Sequence, residues 1–553
     1  MRLRSFAAGL STFGILFAYG SLPSADANPS PTLRAGKPPA PRAHAARKAS
    51  ARRGLGLQIN GCSANGNPYF IGVGSENDYA GGYASAVAGG QYNEACDTNT
   101  AIGGGEGNEI GGGGAQSNSF IGAGDDNQIG SNDTFIGAGE DNEASGYNSF
   151  VGTGLFNYAS GNSSFVGAGG QEYNATDNAA SGGNNVAGGV DSFVGAGDTN
   201  QISSSGNGSF IGAGGYENAY LGNASVSNLI TSVDAFIGAG DENLVYGNYS
   251  AIVAGAGNNV GSAAANSAVV AGQSNSIYGA SAFVGAGSGN DAQGQNAFVG
   301  AGTHIEVTAT ALDAAIAGGA SNIAYGAYDT VGGGDGNSVN GSSATVPGGF
   351  KNVASGTTTF AAGYGAEAVT NGSFAWSDAS SSTVHVRSTV ANQFVARASG
   401  GFILYSNPTA TSGVKLGAGS GAWAMLSDRA MKTGVTPLDD AAVLRKVAAL
   451  PVSEWSYTSE RGVRHVGPMA QDFYAAFGVG EDNRHITSID EDGVALAAIK
   501  ALHSENAGLH AENAGLRARL TADEARHARD IATLERRLSA LARELAESKH
   551  AKQ

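Results

Sequence analysis

The chain has little of several residue types on which common protein classes depend. Its 553 residues include two cysteines, Cys62 and Cys96, which are too few for a disulfide scaffold. Its 12 prolines, and glycines that never fall on a strict three-residue period, exclude a collagen. After the N-terminus no apolar run reaches the roughly 18 residues that a membrane-spanning helix needs. The sequence therefore predicts no transmembrane segment once the N-terminus is removed.

Positive charge is scarce over most of the chain. Residues 54–400 contain 27 acidic side chains but three basic ones, Lys351, Arg387 and Arg397. Three cations cannot neutralise a phosphate backbone, so this region is not expected to bind nucleic acid. The same shortage argues against recognition of other polyanions, which requires arginine forks.

The N-terminus has the parts of a secretory signal peptide. A basic start is followed by an apolar run over 6–19 and by Ala25-Asp26-Ala27, which predicts removal of residues 1–27. The mature protein is then secreted or displayed at the cell surface. In that oxidising setting Cys62 and Cys96 either pair as a disulfide or remain two unpaired buried thiols. Residues 28–53, rich in Pro, Ala and cations, read as a linker, either a plain spacer or one that rests on an anionic surface.

Glycine is abundant, at 88 residues, and it belongs to a repeat. Between residues 54 and 380 a Phe-(Ile/Val)-Gly-Ala-Gly pattern recurs, mostly every fifteen residues, as at Phe120, Phe135 and Phe150. A period of fifteen predicts a parallel β-solenoid whose coils each have two short strands and two turns. We expect the Phe and Ile or Val pair to be buried inward and the glycines to permit close approach of neighbouring backbones. Longer steps, at 165–193 and 210–236, indicate insertions or a degenerate extra repeat.

One such coil buries little apolar surface relative to the number of residues that it orders. A Phe and an Ile contribute roughly 1.5–3 kcal/mol each, whereas ordering costs about 1–2 kcal/mol per residue. Several chains packing together would supply the missing burial. The acidic turns at 124–127 and 139–142 read as solvated turns rather than calcium ligands. We call the repeat region, residues 54–380, the head, and we predict no metal site, no cofactor site and no enzyme site in it.

These repeats resemble the heads of YadA-like trimeric autotransporter adhesins. The resemblance covers roughly residues 64–380 and is carried by segments such as Ser119-Phe-Ile-Gly-Ala-Gly124. It implies an all-β, trimeric, left-handed parallel β-roll that binds host-cell, matrix or glycan surfaces.

Residues 381–422 read as a strand-rich connector like the segment that precedes the processing domain of tail-fibre-like proteins. After about residue 420 the composition changes, because glycine becomes rarer and Lys, Arg and Leu become more frequent. Residues 423–500 resemble the endosialidase-type intramolecular chaperone, an α+β domain and self-cleaving Ser/Lys peptidase. The resemblance is carried by the segment 423–432, by Leu450-Pro and Trp455-Ser-Tyr457, by 465–472, and by 489–502.

That resemblance implies specific roles. Ser427 becomes the nucleophile, Lys432 the general base, and Leu426–Ser427 the bond that is cut. Asp428 and Gln471 either support the site or have structural roles only.

The chemistry is reasonable on its own terms. A serine hydroxyl needs a base, and a lysine amine serves as one where desolvation lowers its pKa. Leu426, Met431 and Val435 give the segment an apolar character. A Ser and a Lys five residues apart also occur by chance on protein surfaces, so the surrounding blocks carry the assignment.

The last segment, 501–553, has the pattern of a coiled coil. Leu502, Leu509 and Leu516 recur every seven residues, with Asn506 and Asn513 at the other core position. The alternative is an amphipathic helix that folds onto its own domain. A coiled coil would hold three chains level as a homotrimer.

Together these patterns predict an exported, trimeric, adhesin-like fibre whose only enzymatic activity is cleavage of itself. A parallel solenoid of similar coils can pair out of register, so a trimerising block would align the chains first. Two rivals remain: a phage-type tailspike that binds or degrades polysaccharide, and a purely structural surface fibre.

Overall fold

The structure, a computed structural model, describes residues 70–72, 78–111, 117–170, 184–215 and 228–551. The predicted signal peptide, the predicted linker and Cys62 lie outside the described residues. The chain divides into two compact units, Met1–Gly400 and Gly401–Gln553.

The first unit is the predicted parallel β-solenoid. Each coil contributes one short strand to each of two parallel sheets, here called sheet A and sheet B, and equivalent residues of successive coils pair in register. Phe135 pairs with Phe150 in sheet A, for example, and Glu143 pairs with Tyr158 in sheet B. The fifteen-residue period of the sequence is thus the length of one coil.

Sheet A has 21 described strands and sheet B has 19. The strands of sheet A are Phe70–Ile71, Ala86–Val87, Ala101–Ile102, Phe120–Ile121, Phe135–Ile136, Phe150–Val151, Phe165–Val166, Phe193–Val194, Phe210–Ile211, Phe236–Ile237, Ala251–Ile252, Ala268–Val269, Phe283–Val284, Phe298–Val299, Ala315–Ile316, Thr330–Val331, Thr345–Val346, Gly349–Phe350, Phe360–Tyr364, Phe374–Ser377 and Phe394–Arg397. Those of sheet B are Tyr79–Ala80, Glu94–Ala95, Glu109–Ile110, Gln128–Ile129, Glu143–Ala144, Tyr158–Ala159, Val186–Ala187, Asn200–Ile202, Asn228–Ile230, Asn243–Val245, Asn259–Val260, Ser276–Ile277, Asp291–Ala292, Glu306–Val307, Ile323–Ala324, Ser338–Val339, Val353–Ala354, Ala366–Ala368 and Val386–Arg387.

The solenoid core consists of the Ile and Val of each pair, and the expected inward burial of the phenylalanines is wrong. Ile121, Ile136 and Val151 are fully buried, whereas the rings beside them face outward. Successive residues of a strand point to opposite faces, so a two-residue strand buries one of its two side chains. The outward rings instead stack on one another with centroids 4.6–5.6 Å apart, in the series Phe120, Phe135, Phe150, Phe165, Phe193, Phe210 and Phe236.

Glycine is required where neighbouring coils touch through their backbones. A Cβ atom on Gly122 would lie 2.1 Å from the carbonyl oxygen of Gly137, far inside van der Waals contact. The chain also turns through stacked residues in the left-handed region, among them Asp133 and Asn148, each with φ of 57°. Asn and Asp tolerate this conformation better than most residues, which explains their recurrence in the turns.

A ladder of asparagines runs through the interior, although these residues lie in or next to segments that read as solvated turns. The side-chain Nδ2 of Asn142 donates to Oδ1 of Asn127 at 2.8 Å, and Nδ2 of Asn157 donates to Oδ1 of Asn142 at 3.0 Å. Ile305 interrupts the ladder, which otherwise comprises Asn93, Asn108, Asn127, Asn142, Asn157, Asn185, Asn200, Asn228, Asn243, Asn258, Asn275, Asn290, Asn322, Asn337 and Asn352. These buried amides thus find hydrogen-bond partners in neighbouring coils, although Asn322, which follows Ile305, bonds to Gly318 of its own coil and Gly334 of the next.

The two long steps in the repeat are insertions and not extra coils. Phe165 pairs directly with Phe193, and Phe210 pairs directly with Phe236. The last strand of sheet A, Phe394–Arg397, lies beyond residue 380, where the repeat pattern fades.

Arg397 ties the last coils of the solenoid together. Its Nε donates to Oδ1 of Asp378 at 2.9 Å and its Nη2 donates to Oγ of Ser377 at 2.8 Å. Hydrogen bonds from Ser380, from Ser399 and from this arginine hold the pKa of Asp378 well below its usual range.

The second unit begins with an antiparallel sheet of three strands, β1 (Gly401–Tyr405), β2 (Gly413–Gly417) and β3 (Trp423–Met425). A short 3₁₀ turn at Arg429–Met431 follows. The remaining elements are α1 (Asp440–Ala449), the antiparallel pair β4 (Ser453–Trp455) and β5 (His465–Gly467), α2 (Ala470–Phe477) and α3 (Ser488–His550). A small core forms where α1 packs on the first part of α3, around Val443, Ala497 and Ala498.

Candidate functional site

The structure brings Ser427 and Lys432 together. Nζ of Lys432 donates a hydrogen bond to Oγ of Ser427 at 2.7 Å. Ser427 lies two residues after the end of β3, and Lys432 directly follows the 3₁₀ turn Arg429–Met431. The chain before Ser427 is held because the backbone N–H of Leu426 donates to the carbonyl of Gly413 at 3.3 Å. The Leu426–Ser427 bond therefore lies where an ordered strand passes into a turn.

The Asp428 side chain stabilises the turn that lies between Ser427 and Lys432. Its Oδ1 accepts from the backbone N–H of Ala430 at 2.9 Å and so caps the 3₁₀ turn Arg429–Met431. The backbone N–H of Lys432 closes the other end by donating to the carbonyl of Arg429 at 3.2 Å. The turn lies between the two residues, and Lys432 directly after it comes within hydrogen-bond distance of Ser427.

The surroundings of the pair are exposed in the single chain. The residues that give this segment its apolar character all face solvent, namely Leu426, Met431 and Val435, with Leu426 51% exposed. Residues 426–439 lie between β3 and α1, and no element within the described part of the chain packs over them. Within one copy, these apolar side chains therefore do not shield the Ser427–Lys432 pair from water.

Gln471 does not join this pair. It lies in the first turn of α2 and, among the described residues, makes no hydrogen bond with Ser427 or Lys432. The block that contains it folds as a unit nonetheless, because Trp455 of β4 stacks on His465 of β5 with ring centroids 4.8 Å apart.

A contact that sequence patterns did not indicate links the cleavage strand to the long helix. Oγ of Ser488, the first residue of α3, lies 3.6 Å from Sδ of Met425, the last residue of β3. The two residues are 63 positions apart, so periodicity carries no signal of the contact.

The helix α3 presents its leucines to solvent. Thr487 caps its N-terminus by accepting from the N–H of Asp490, and the helix then runs unbroken through Gly508 and Gly515. Leu502, Leu509 and Leu516 are all exposed in the single chain. None of the helices in the described residues combines the length and apolarity needed to span a bilayer.

Two further groups of predicted residues can be placed. Cys96 is disulfide-bonded, but Cys62 lies outside the described residues, so its pairing with Cys96 stays a prediction. Over the described ranges no three His, Cys, Asp or Glu side chains come together as metal ligands.

Comparison with known families agrees with the C-terminal assignment. Residues 427–479 match the family described as Chaperone of endosialidase, Peptidase_S74, and the match begins at the serine that Lys432 contacts. No curated protein matches the chain. Members of this family are self-cleaving chaperone domains. The chain therefore has a C-terminal segment that matches the endosialidase chaperone family, and a long parallel β-solenoid precedes it.

Proposed function

We propose that this protein is an exported, trimeric, adhesin-like fibre whose C-terminal domain aligns three chains and then cuts itself off before Ser427. The observation that carries the proposal is the 2.7 Å contact between Lys432 Nζ and Ser427 Oγ at the start of the family match. The solenoid is the part proposed to bind host-cell, matrix or glycan surfaces.

The cleavage proceeds through an ester. With Lys432 as the free amine, its Nζ accepts the Ser427 hydroxyl proton while Oγ attacks the carbonyl carbon of Leu426. The peptide C–N bond breaks, the proton passes to the new amino group of Ser427, and Leu426 is left esterified to Oγ. Water then hydrolyses the ester, which gives a carboxylate at Leu426 and restores the serine hydroxyl.

Partner copies supply what the single chain lacks at this site. An exposed ammonium is well solvated and keeps its proton, whereas burial favours the neutral amine. The exposed leucines of α3 fit a coiled coil between copies, and the same association would bring neighbouring chains to the start of α3, which β3 contacts through Met425. Cleavage would then follow trimer formation and not precede it.

Intact mass of the purified protein tests the reaction. We expect the parent to give a fragment that begins at Ser427, and Ser427→Ala and Lys432→Met to give one uncut chain that is still trimeric. Lys446→Met, which removes an exposed lysine of α1, is the control and should be cut like the parent. Cleavage of Ser427→Ala at the same bond would refute the assignment.

Surface binding is tested separately with the cleaved head. We expect it to be retained on matrix- or mucin-coated surfaces, and an unrelated fibre of similar charge not to be. Retention on none of the cell, mucin or matrix surfaces would instead indicate a structural fibre, and turnover of a capsule polymer would indicate a tailspike enzyme.

A further inference from the structure

The three-stranded sheet that ends at the proposed cleavage bond has one face made of apolar side chains alone. The pairing register puts Phe402, Leu416 and Trp423 in one row across the strands and Leu404, Val414 and Met425 in the next. Side chains at alternate positions share a face, so these two rows lie side by side. We call this the apolar face of the sheet.

The apolar face is partly uncovered in the single chain: Leu404, Trp423 and Met425 are exposed, and Phe402, Val414 and Leu416 are half-buried. Leu404 is 59% exposed and Trp423 is 52% exposed, although both lie within ordered strands. A contiguous apolar surface on a regular sheet is typical of a protein interface and is not tolerated well in water.

The opposite face of the sheet has a different composition. It carries Ile403, Lys415 and Ala424 in one cross-strand row. Packing three copies through this face would bring three lysine charges together, which like-charge repulsion disfavours. The apolar face has no charged group, so identical copies can meet through it around one axis without like-charge repulsion.

We infer that the apolar faces of three copies pack against one another and form a permanent joint at the end of the head. The inference rests on the proposed trimer and cleavage. Met425 at the end of β3 contacts Ser488 at the start of α3, so the sheet lies where three associating helices would bring copies together. Two further copies of this chain are therefore the occupants of the face.

The position of the cut gives the joint its role. The Leu426–Ser427 bond follows β3, so cleavage leaves all three strands on the head fragment and removes the long helix. The coiled coil that aligned the chains is then gone, and the packed sheets hold the three new C-termini together in its place. The backbone bond from Leu426 to Gly413 keeps the cut end in its strand.

Adjacent residues on opposite faces allow a matched test. Leu404→Asn changes the apolar face, and Ile403→Asn changes the other face at a residue of similar exposure, 49%. After cleavage and removal of the 427–553 fragment, we expect the parent and Ile403→Asn heads to remain trimers on dilution. The Leu404→Asn heads should dissociate at least tenfold faster. In a Ser427→Ala background both variants should remain trimers, because the helices still hold the chains.

A second measurement does not depend on weakening the sheet. We expect a short bis-maleimide to join two chains of each Leu404→Cys trimer into a covalent dimer, because each chain offers one introduced thiol, and Ile403→Cys heads to stay uncrosslinked. Equal persistence of the two Asn variants, or equal crosslinking of the two Cys variants, would overturn the joint while the proposed function stands. A parent that is monomeric or uncut would overturn the proposed function, and the joint with it.

Discussion

Replacing Asn142 by alanine tests whether the buried asparagine ladder holds the coils of the solenoid together. Asn142 is 1% exposed. Its Nδ2 donates to Oδ1 of Asn127 at 2.8 Å and to the carbonyl of Gly154 at 2.7 Å, and its Oδ1 accepts from the backbone N–H of Asn157 at 3.1 Å. One side chain therefore joins the coils on both sides of its own.

The cost follows from which groups lose their partners. The Asn157 N–H loses the side-chain oxygen it donates to, and a buried unpaired donor costs about 1–3 kcal/mol. The two bonds from Nδ2 are worth about 1 kcal/mol each, because Asn127 Oδ1 and the Gly154 carbonyl keep backbone donors. The bond from Asn157 Nδ2 to Oδ1 of Asn142 is worth about as much, because that donor keeps the carbonyl of Gly169. We therefore expect a loss of about 4–6 kcal/mol in the coils around residue 142.

Native-state hydrogen exchange measures this loss locally. A loss of that size lowers the protection of amides in residues 127–170 by roughly three to four orders of magnitude. Asn148→Gly is the matched control, because Asn148 is exposed and its φ of 57° suits glycine. If exchange in Asn142→Ala stayed within threefold of this control, the ladder would contribute little and the reasoning would fail.

Two further predictions concern a buried acid and the long helix. Asp329 is fully buried, and burial raises its pKa to about 6 although the N–H groups of Gly326 and Ala344 donate to it. Its contribution to stability is present below about pH 4 and is lost as the pH rises through 6, by at most about 3 kcal/mol. Asp329→Ser should therefore gain stability relative to the parent between pH 4 and pH 7 in thermal melts, and an unchanged difference would contradict this. Leu509→Asp places a charge in the leucine row of the proposed coiled coil and should give an uncut monomer by light scattering and intact mass. Ala511→Ser, which lies off that row, should behave like the parent. A cut Leu509→Asp monomer would show that cleavage does not need the trimer.

The repeat predicted the solenoid because its period equals one coil and because glycine spacing records where backbones touch. The prediction that the phenylalanines face inward was wrong, because the Phe-Ile pattern does not indicate which member of a two-residue strand is buried. Asn142 read as part of a solvated turn because an isolated asparagine has the same turn preference whether its amide meets water or the next coil.

The sequence likewise predicted some features of the C-terminal site and missed others. Ser427 and Lys432 were found through a family resemblance, and the Asp428 cap that turns one toward the other follows from local chain geometry. The exposure of Leu426 and Met431 could not be predicted, because the apolar character of a segment does not say which other segment packs against it. The Met425–Ser488 contact joins distant segments and leaves no periodic trace.

The in-register pairing of nearly equivalent coils makes the length of the head adjustable. Each coil touches its neighbours through the same glycine contacts and the same ladder, so duplicating fifteen residues adds about 4.8 Å of height and creates no new kind of contact. Recombination between repeats can therefore lengthen or shorten the solenoid in fixed steps while the coils on either side keep their contacts. A change in the number of coils would alter the reach of the proposed fibre by a set amount for each coil.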